Sequence, residues 1–569
     1  MRLSSSKNTL LFRQAHCFKT VIPMKKHFIF FLALALTFVK DVNAQVERPK
    51  LVVGLMVDQM RWDYLYRFAD RYGNDGFKRI LKEGFSCENT LINYIPTYTA
   101  IGHSSVYTGS VPSIHGIAGN DWIVQSTGQP MYCTQDENVQ GVGTSEKEGQ
   151  QSPRNLLAST ITDQLKLATN FQSKVIGVAI KDRGGILPAG HFADAAYWFE
   201  AKSGDWVSST FYMKDLPKWV SQFNKQKLPE KYLKQDWNTL YPIETYTNSI
   251  ADENMYEGKW PGEESPTFPR KTSELMKDAG YELIKTTPQG NTLTLDFAKA
   301  AIEHENMGKN PTNNTDFLCV SLSATDYVGH RYSLSAVEIE DTYLRLDRDI
   351  AEFLAYLDKN VGKGNYTFFL TADHAASYNP LYYTDQRGNG GYLFTRQIQR
   401  ELNTELKEKF GSDKLVRSLM NYQVHLDYKL IESLDLDIDA IKKVIIKNLK
   451  AQDGVAYVVD MEGGENMFLP APIREKIING YNRKNSGAIQ IIAEPQWYSG
   501  TPRGTGTTHG VWSAYDSHIP LLFMGWGIKP GVSNRSVQIV DIAPTLASLL
   551  HVMEPNGNIG HTIVEVLGQ

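Results

Sequence analysis

Aspartate and histidine side chains recur at the ends of three apolar segments that lie far apart in the chain. The segments are Leu51–Val57, 317–322 and Tyr366–Thr371, and they lead to Asp58, Asp326 and Asp373. His330 follows Asp326 by four residues, and His374 follows Asp373 directly. An aspartate after a strand commonly caps a helix or stabilises a turn. Three such positions, two of them accompanied by histidine, favour a shared metal site, and this mixture of ligands suits zinc.

A sixth candidate ligand, His509, lies in the loop 504–510 (GTGTTHG). The glycines and threonines of this loop disfavour a core element, so a buried structural histidine is less expected here than in a strand or helix. Six ligands divide into two sets of three, and each set leaves an open coordination position for chemistry. The sequence therefore predicts two zinc ions.

A threonine between the first two ligand segments could act as a nucleophile. Pro96 ends any helix upstream of it, and the small residues after Thr99 can begin a new one. A threonine at a helix N-terminus usually serves as the N-cap, but the same position also favours an anion. A hydroxyl bound to a metal ion can lose its proton and attack an electrophile. The sequence leaves both Thr97 and Thr99 open as the nucleophile.

The segments before the three aspartates are continuously apolar, which is typical of strands buried on both faces of a parallel sheet. Helical patterns lie between them, with apolar residues three or four positions apart over 339–357 and 295–302. Alternating strands and helices predict an α/β fold with a doubly wound, mostly parallel sheet flanked by helices. Such folds bind ligands beyond the carboxyl ends of their strands, where all three aspartates fall.

The composition of the 569-residue chain is that of a globular protein, with 42% hydrophobic and 21% charged residues, which excludes disorder and coiled coils. The net charge of -4 argues against a nucleic-acid binder. Four cysteines are too few for a disulfide scaffold in a chain of this length. Cys319 lies in an apolar run and is expected to be a buried thiol, while a disulfide between Cys87 and Cys133 is left open.

The N-terminus carries the pattern of a signal peptide. Residues 24–27 are basic, residues 28–39 are mostly apolar, and residues 42–44 are compact. An apolar run of this length is shorter than the roughly 20 residues that a membrane-spanning helix needs. We therefore expect an upstream extension over 1–23, a signal over 24–44 and a mature chain that begins near Gln45, with an uncleaved anchor as the alternative. The exported protein is expected to be a monomer without a stable membrane span.

One catalytic domain over 45–569 is expected, interrupted by two excursions. Residues 120–290 are rich in tryptophan, tyrosine, lysine and proline and are predicted to form a cap. Residues 385–500 are predicted to form a small α/β lid with helices over 401–410 and Ile438–Leu449 and a strand over 455–459. The run 519–524 is predicted to return to the sheet, and 541–546 to open a closing helix.

Seven motifs of the chain resemble those of the alkaline phosphatase superfamily, and most closely those of the phosphate-irrepressible periplasmic enzymes of the PafA type. They follow the family's order and cover nearly the whole mature chain: 57–61 (VDQMR), 96–99 (PTYT), 115–120 (HGIAGN), 181–184 (KDRG), 326–330 (DYVGH), 372–374 (ADH) and 508–510 (THG).

The resemblance implies a role for each matching residue. Thr99 would be the nucleophile that forms a covalent phosphothreonine. One zinc would be held by Asp326, His330 and His509, and the other by Asp58, Asp373, His374 and the oxygen of Thr99. The phosphate oxygens would be contacted by Asn120, Lys181 and Arg183. The implied protein is a periplasmic two-zinc alkaline phosphatase that acts on phosphate monoesters.

The nearest alternative is a nucleotide pyrophosphatase or phosphodiesterase of the same superfamily. Lys181 and Arg183 favour the monoesterase, because a monoester presents more terminal negative charge than a diester. A sulfatase is disfavoured because its Cys/Ser-x-Pro-x-Arg segment is missing near Thr99. A non-catalytic metal-binding protein would leave the hydroxyl and the open coordination positions without a use.

Overall fold

The computed structural model describes residues 46–463, 468–500 and 504–567. The predicted extension and signal peptide, residues 1–44, lie outside the described residues. Residues Arg48–Gln569 form one compact unit. In the described ranges, no helix combines the length and the apolar character that a membrane crossing requires.

An eleven-stranded sheet forms the centre of the described structure. The strands of the chain are β1 Leu51–Val57, β2 Phe85–Leu91, β3 Asp121–Val124, β4 Gln129–Tyr132, β5 Gly141–Val142, β6 Val175–Ala179, β7 Ala195–Glu200, β8 Asp205–Ser209, β9 Asp316–Leu322, β10 Tyr366–Thr371, β11 Gly391–Leu393, β12 Val416–Met420, β13 Gln423–Leu426, β14 Val455–Asp460, β15 Ile489–Ala493, β16 Trp497–Ser499, β17 His518–Ile519, β18 Leu521–Gly525 and β19 Gly531–Gln538. The central sheet has the order β17–β2–β18–β10–β1–β9–β6–β7–β8–β5, and β19 also pairs with β2.

The middle of this sheet is parallel. Strand β1 pairs in parallel with β10 and β9, and β6 continues the parallel arrangement from β9 to β7. Every residue of β1, β9 and β10 is buried, as the apolar runs predict. The mostly parallel α/β sheet is thus confirmed, and 519–524 contributes β17 and the antiparallel strand β18. Because β10, β1 and β9 are neighbours, the segments that follow their carboxyl ends meet at one edge of the sheet.

Helices flank the sheet. They span Tyr64–Arg67, Phe77–Glu83, Thr99–Thr108, Pro112–His115, Ile161–Ala168, Asp182–Ala189, Lys218–Lys225, Leu228–Leu233, Thr272–Ala279, Gln289–His304, Ala324–Tyr332, Val337–Leu357, Pro380–Asp385, Thr395–Phe410, Tyr428–Ser433, Ile438–Leu449, Ala471–Gly480, Ala514–Ser517 and Ile542–Leu550. The predicted helices are confirmed: 339–357 agrees within two residues, 541–546 opens helix Ile542–Leu550, and 295–302 lies within the longer helix Gln289–His304. Helix Thr99–Thr108 packs directly on the end of β10, since a Cβ on Gly102 would lie 2.3 Å from the carbonyl oxygen of Asp373.

The excursion over 120–290 does not stand apart from the sheet. Strands β6 and β7 lie within it and belong to the parallel centre, and all their residues are buried. The run VIGVA is continuously apolar, and AAYWFE is apolar or aromatic up to its last residue, Glu200. This is the same signal that predicts β1, β9 and β10. The range 120–290 therefore includes strands of the central sheet as well as the irregular segment that follows β8.

The excursion over 385–500 contains a separate four-stranded sheet of order β12–β13–β15–β14. Helices Thr395–Phe410 and Ile438–Leu449 and strand β14 appear where the sequence predicts them. A hydrophobic cluster distinct from the main core forms between these elements, with Leu402, Ile441 and Ile489 among its members. The cysteines Cys87, Cys133 and Cys319 are buried free thiols, so Cys87 and Cys133 are not bonded to each other.

Helix Ala471–Gly480 attaches this second region to the loop that leads to Thr99. The ammonium group of Lys476 donates a hydrogen bond to the carbonyl oxygen of Ile92, and Asn479 Nδ2 donates to the carbonyl of Asn93 at 2.8 Å. The Ile95 N–H donates to the Lys476 carbonyl at 3.2 Å. Burial lowers the pKa of Lys476 from its ordinary value of 10.5 to about 8.

This lysine gives the stability of the chain a dependence on alkaline pH. The charged form of Lys476 is less favourable in the folded than in the unfolded state. The effect of this lysine on the free energy of unfolding is therefore most favourable above the unfolded pKa of 10.5, where the side chain is neutral, and this advantage is lost as the pH falls through the folded value of about 8. We expect the free energy of unfolding of Lys476→Met to rise less than that of the wild type between these two values. Urea unfolding at a series of pH values measures this, with the exposed Lys484→Met as control. Parallel curves for the wild type and Lys476→Met would contradict the expectation.

Candidate active site

The carboxylates predicted to bind metal converge at the edge of the sheet. Asp58 follows β1, and Asp373 follows β10. Asp326 lies in the first turn of helix Ala324–Tyr332, where His330 is one turn further along the same face. The Nε2 atom of His330 is 3.1 Å from Asp326 Oδ1. All three carboxylates are buried.

The imidazole rings of the three predicted histidine ligands are oriented in the same way. The Nδ1 atom of each lies within hydrogen-bond distance of a backbone carbonyl: Thr507 for His330 at 2.8 Å, Ala375 for His374 at 3.0 Å and Thr97 for His509 at 2.6 Å. A carbonyl oxygen only accepts, so each Nδ1 carries a proton, and Nε2 is left as the atom that can coordinate a metal when the ring is neutral. This is the arrangement of histidines that ligate metals.

Two groups of side chains place their ligand atoms within 4.8 Å of one another. They are Asp326 with His330 and His509, and Asp58 with Asp326 and His374. The first group is the predicted set. In the second group Asp326 stands where the sequence predicts Asp373, whose Oδ2 lies 3.4 Å from His374 Nε2. The rings of His374 and His509 stack with their centroids 3.5 Å apart and so join the two groups.

The protonation chemistry of these groups fits metal ligation. Burial lowers the pKa of His374 and His509, which keeps both imidazoles neutral and able to coordinate. Burial and the nearby carboxylate of Asp373 raise the pKa of Asp58 well above its usual range. Asp58 Oδ1 accepts no hydrogen bond within the described structure, and Asp373 Oδ2 lies 3.3 Å from His103 Nδ1 and 3.4 Å from His374 Nε2. A set of buried carboxylates with unused oxygens, beside neutral imidazoles, suits a divalent cation such as zinc.

Thr99 faces this cluster, whereas Thr97 does not. Thr99 is the first residue of helix Thr99–Thr108, and its Oγ1 is 3.4 Å from His374 Nε2 and 3.5 Å from Lys181 Nζ. The hydroxyl of Thr97 instead donates to Asp516 Oδ2 at 3.1 Å and accepts from the Gly510 N–H at 3.0 Å. The geometry thus separates two residues that the sequence leaves equivalent: one lies beside the ligands, and the other ties the His509 loop to the core.

Lys181 is a buried cation within the same cluster. It precedes helix Asp182–Ala189, and its ammonium group donates to Asp58 Oδ2 at 2.7 Å and to Asp326 Oδ2 at 2.5 Å. Although burial opposes it, these two carboxylates raise the pKa of Lys181, so the side chain stays charged. The ring of Tyr327 lies 5.0 Å from the ammonium group.

Asn120 and Arg183 lie at the border of the cluster. Asn120 Oδ1 accepts a hydrogen bond from the Ala100 N–H at 2.9 Å, which fixes the amide beside the N-terminus of helix Thr99–Thr108. Arg183 Nη1 donates to the hydroxyl of Tyr132 at 3.0 Å, and that hydroxyl donates to Asp182 Oδ1 at 2.5 Å. Arg183 Nε has no hydrogen-bond partner in the described structure. Both side chains are partly exposed.

Three residues of the site were not predicted from the sequence. Gln59 has a left-handed backbone with φ of 67°, and its amide Nε2 donates to Asp326 Oδ1 at 2.5 Å while its N–H donates to Asp373 Oδ1 at 3.2 Å. Asp516 accepts from the N–H groups of Gly510 and Val511 at 2.7 and 2.8 Å, and burial raises its pKa to about 7. Tyr132 orients Arg183. The only hint was the position of Gln59 within the motif 57–61.

Comparison with known proteins shows the family of this chain. Residues 52–516 match the family described as type I phosphodiesterase / nucleotide pyrophosphatase. The alkaline phosphatase PafA of Elizabethkingia meningoseptica is 51% identical over 92% of this chain and 95% of its own length. The crystal structure of wild-type PafA matches with a TM-score of 0.89 and 50% identity, covering 92% of this chain and 100% of that one.

The chain belongs to the PafA-type alkaline phosphatases. A protein of Myroides odoratus named calcium-transporting ATPase is 63% identical over 97% of this chain and 99% of its own length. A solved structure of a PafA variant, in which a threonine, an asparagine, a lysine and an arginine are replaced, matches with a TM-score of 0.88, 50% identity and coverage of 92% of this chain and 99% of that one. The doubly wound fold and the superfamily inferred from the seven motifs are thus confirmed.

Proposed function

We propose that this PafA-type alkaline phosphatase hydrolyses phosphate monoesters through a covalent phosphothreonine at Thr99 and releases inorganic phosphate. The observation that carries the proposal is the position of the Thr99 hydroxyl, 3.4 Å from His374 Nε2 and 3.5 Å from Lys181 Nζ at the N-terminus of a ten-residue helix. A helix N-terminus and a buried cation together attract an anionic phosphoryl group.

Two zinc ions are proposed as cofactors. We assign Asp326, His330 and His509 to one, and Asp58, Asp373, His374 and the oxygen of Thr99 to the other. Asp373 is preferred to Asp326 in the second set because its buried Oδ2 lies 3.4 Å from His374 Nε2, while Asp326 already belongs to the first set. When bound, a pair of zinc ions supplies Lewis-acid stabilisation of the attacking and leaving oxygens.

The roles of nucleophile and of phosphate-binding groups are assigned to side chains of the protein. The Thr99 hydroxyl loses its proton and Oγ1 attacks phosphorus in line with the leaving oxygen, whose bond to phosphorus breaks and which takes up a proton as the alcohol departs. A water later cleaves the phosphothreonine, which restores the hydroxyl and releases inorganic phosphate. Asn120 Nδ2, Lys181 and Arg183 are placed to donate hydrogen bonds to the phosphate oxygens, on which negative charge is spread in the transition state. The four residue types replaced in the PafA variant match Thr99, Asn120, Lys181 and Arg183. The spacing from the threonine to the asparagine is the same in both chains, and so is the spacing from the lysine to the arginine, which supports these assignments.

Trapping the intermediate tests the proposal. The enzyme is mixed with a phosphate monoester, quenched in acid and digested, and the peptides are analysed by mass spectrometry. We expect a phosphorylated peptide that contains Thr99, and none from Thr99→Ala. Phosphate on Thr97, or turnover without a phosphorylated peptide under conditions that trap other phosphoenzymes, would contradict the proposed nucleophile.

Lys181 and Arg183 provide a test of the substrate class. A monoester has one more terminal negative charge than a diester, so loss of these cations removes more transition-state stabilisation from the monoester. We expect Lys181→Ala and Arg183→Ala to lower kcat/KM about a hundredfold for p-nitrophenyl phosphate and about tenfold or less for its diester. Zinc content is measured alongside, because Lys181 contacts Asp58 and Asp326. The exposed Arg154→Ala is the control, and equal losses on both substrates would favour a phosphodiesterase.

ATP is a substrate worth including in this series. The Myroides odoratus relative is named as an ATPase, and the terminal phosphoryl group of ATP carries the charge that Lys181 and Arg183 are proposed to bind. Phosphate release from ATP that disappears in Thr99→Ala would assign that activity to the same site.

Export and domain roles complete the proposal. We propose that residues 24–44 direct export to the periplasm, that the mature chain begins near Gln45 and that it is a monomer. The segment after β8 would serve as a cap, and the region over 385–500 as a lid beside the site. N-terminal sequencing of the exported protein tests the cleavage, and a sequence that still reads through Met24 would oppose it.

A further inference from the structure

A cavity of about 750 Å³ opens beside His330, on the side of the Asp326–His330–His509 group. Residues of the segment after β8 form most of its wall, including Glu253, Met255 and Lys259. Tyr327 and Arg331, from helix Ala324–Tyr332, form the wall nearest the site. The volume lies within the range of small-molecule pockets and greatly exceeds the space that a phosphate group needs. A molecule attached to a phosphate at Thr99 can therefore extend into it.

A planar cation forms part of the cavity wall. The guanidinium of Arg331 stacks on the indole of Trp260, with its central carbon 3.9 Å from the ring centroid. Arg331 Nη1 donates to the Lys259 carbonyl at 2.9 Å, and the Gly258 N–H donates to the Arg331 carbonyl at 2.8 Å. The indole is held in turn, since Trp260 Nε1 donates to Thr286 Oγ1 at 3.1 Å. These contacts fix the guanidinium plane before any ligand binds.

The charges and the free donors of the wall indicate what the cavity binds. Burial and the nearby Glu338 raise the pKa of Glu257 to about 10, and its carboxyl group also contacts Arg270. The wall therefore presents Glu253 against the two cations Lys259 and Arg331, which does not favour a cationic ligand. Arg331 Nε is buried and has no hydrogen-bond partner in the described structure. One face of the guanidinium is covered by Trp260 and Arg331 lines the cavity, so a flat π system can stack on the other face.

We propose that this cavity is the subsite for the leaving group and that it takes a planar heteroaromatic group of the size of a nucleoside, stacked on Arg331. The inference rests on the proposed function, because it assigns the phosphate to the Thr99 site and the leaving oxygen to the His330 side. A nucleoside monophosphate is the substrate class that this arrangement prefers over a small aliphatic monoester.

The ratio of kcat/KM for AMP to that for glycerol phosphate tests the subsite. We expect the ratio to fall about tenfold in Arg331→Gln, mainly through KM for AMP, because base stacking is lost. Arg331→Lys keeps the charge but not the plane and should lower the ratio similarly. Arg400→Gln, at an exposed position on helix Thr395–Phe410, should leave the ratio unchanged.

Adenosine alone separates this inference from the proposed function. We expect calorimetry to show that adenosine binds to the wild type and binds at least about tenfold more weakly to both Arg331 variants. A wild type that binds adenosine but hydrolyses neither ester would overturn the proposed function and leave the ligand class of the cavity supported. Parallel losses for both esters in Arg331→Gln, an unchanged ratio, or no adenosine binding to the wild type would overturn the subsite.

Discussion

Thr99→Ala should abolish phosphate monoester hydrolysis while the protein remains folded. Without Oγ1 no covalent phosphoenzyme can form, and removal of a nucleophile typically costs roughly a thousandfold or more in kcat. The substitution removes a hydroxyl that faces the ligand cluster and not the hydrophobic core, so we expect little change in unfolding temperature. Steady-state hydrolysis of p-nitrophenyl phosphate and circular dichroism measure the two effects.

Two matched variants sharpen this test. Thr99→Ser retains a hydroxyl at the same position and should keep most of the activity. Thr97→Ala removes the hydrogen bonds to Asp516 and Gly510, so it should loosen the His509 loop and lower stability by about 1–2 kcal/mol without abolishing turnover. If Thr97→Ala lost turnover and Thr99→Ala retained it, the assignment of the nucleophile would be wrong.

Chelation should have the second large effect. Removal of metal leaves Asp58, Asp326 and Asp373 as a buried carboxylate cluster and withdraws the charge that offsets the transition state, so activity should fall about a hundredfold or more. Zinc should restore the activity better than magnesium or calcium, because half of the six predicted protein ligands are imidazoles.

The unfolding temperature gives an independent measure of the same site. An ion that binds only the folded chain stabilises it by mass action, so the metal-stripped protein should unfold at a lower temperature and recover with zinc. His509→Ala should reduce both the recovery and the zinc content, whereas His561→Ala, outside the site, should change neither. Full activity in a protein that elemental analysis shows to be free of metal would refute the metal assignment.

The convergence of the ligands could be predicted because the signals were local and repeated. Each of β1, β9 and β10 is a continuously apolar run that ends near an aspartate, and neighbouring parallel strands bring such ends together. The start of helix Thr99–Thr108 could also be predicted, because Pro96 ends any helix upstream and the small residues after Thr99 can begin a new one. The strands β6 and β7 carry the same apolar signal, but the surrounding tryptophans and lysines obscured it.

Other features depend on tertiary contacts that have no local pattern. Thr97 and Thr99 are two positions apart with similar neighbours, and contacts with distant residues separate their roles. Thr97 bonds to Asp516, more than 400 residues away, whereas Thr99 lies beside His374. Gln59 supports two ligands because of its left-handed backbone, which glutamine seldom adopts. The Trp260–Arg331 stack joins a loop to a helix, so neither residue indicates it alone.

The three backbone carbonyls that accept from the imidazoles have a consequence for redesign. A histidine replaced by cysteine or aspartate would lose its second nitrogen, and with it the anchor to Thr507, Ala375 or Thr97. Exchanging ligands to recruit a softer or harder ion would thus free the new side chain to rotate away. The side chains at the anchoring positions contribute nothing to that anchor, so an engineer seeking a different metal should first reshape the path of the main chain.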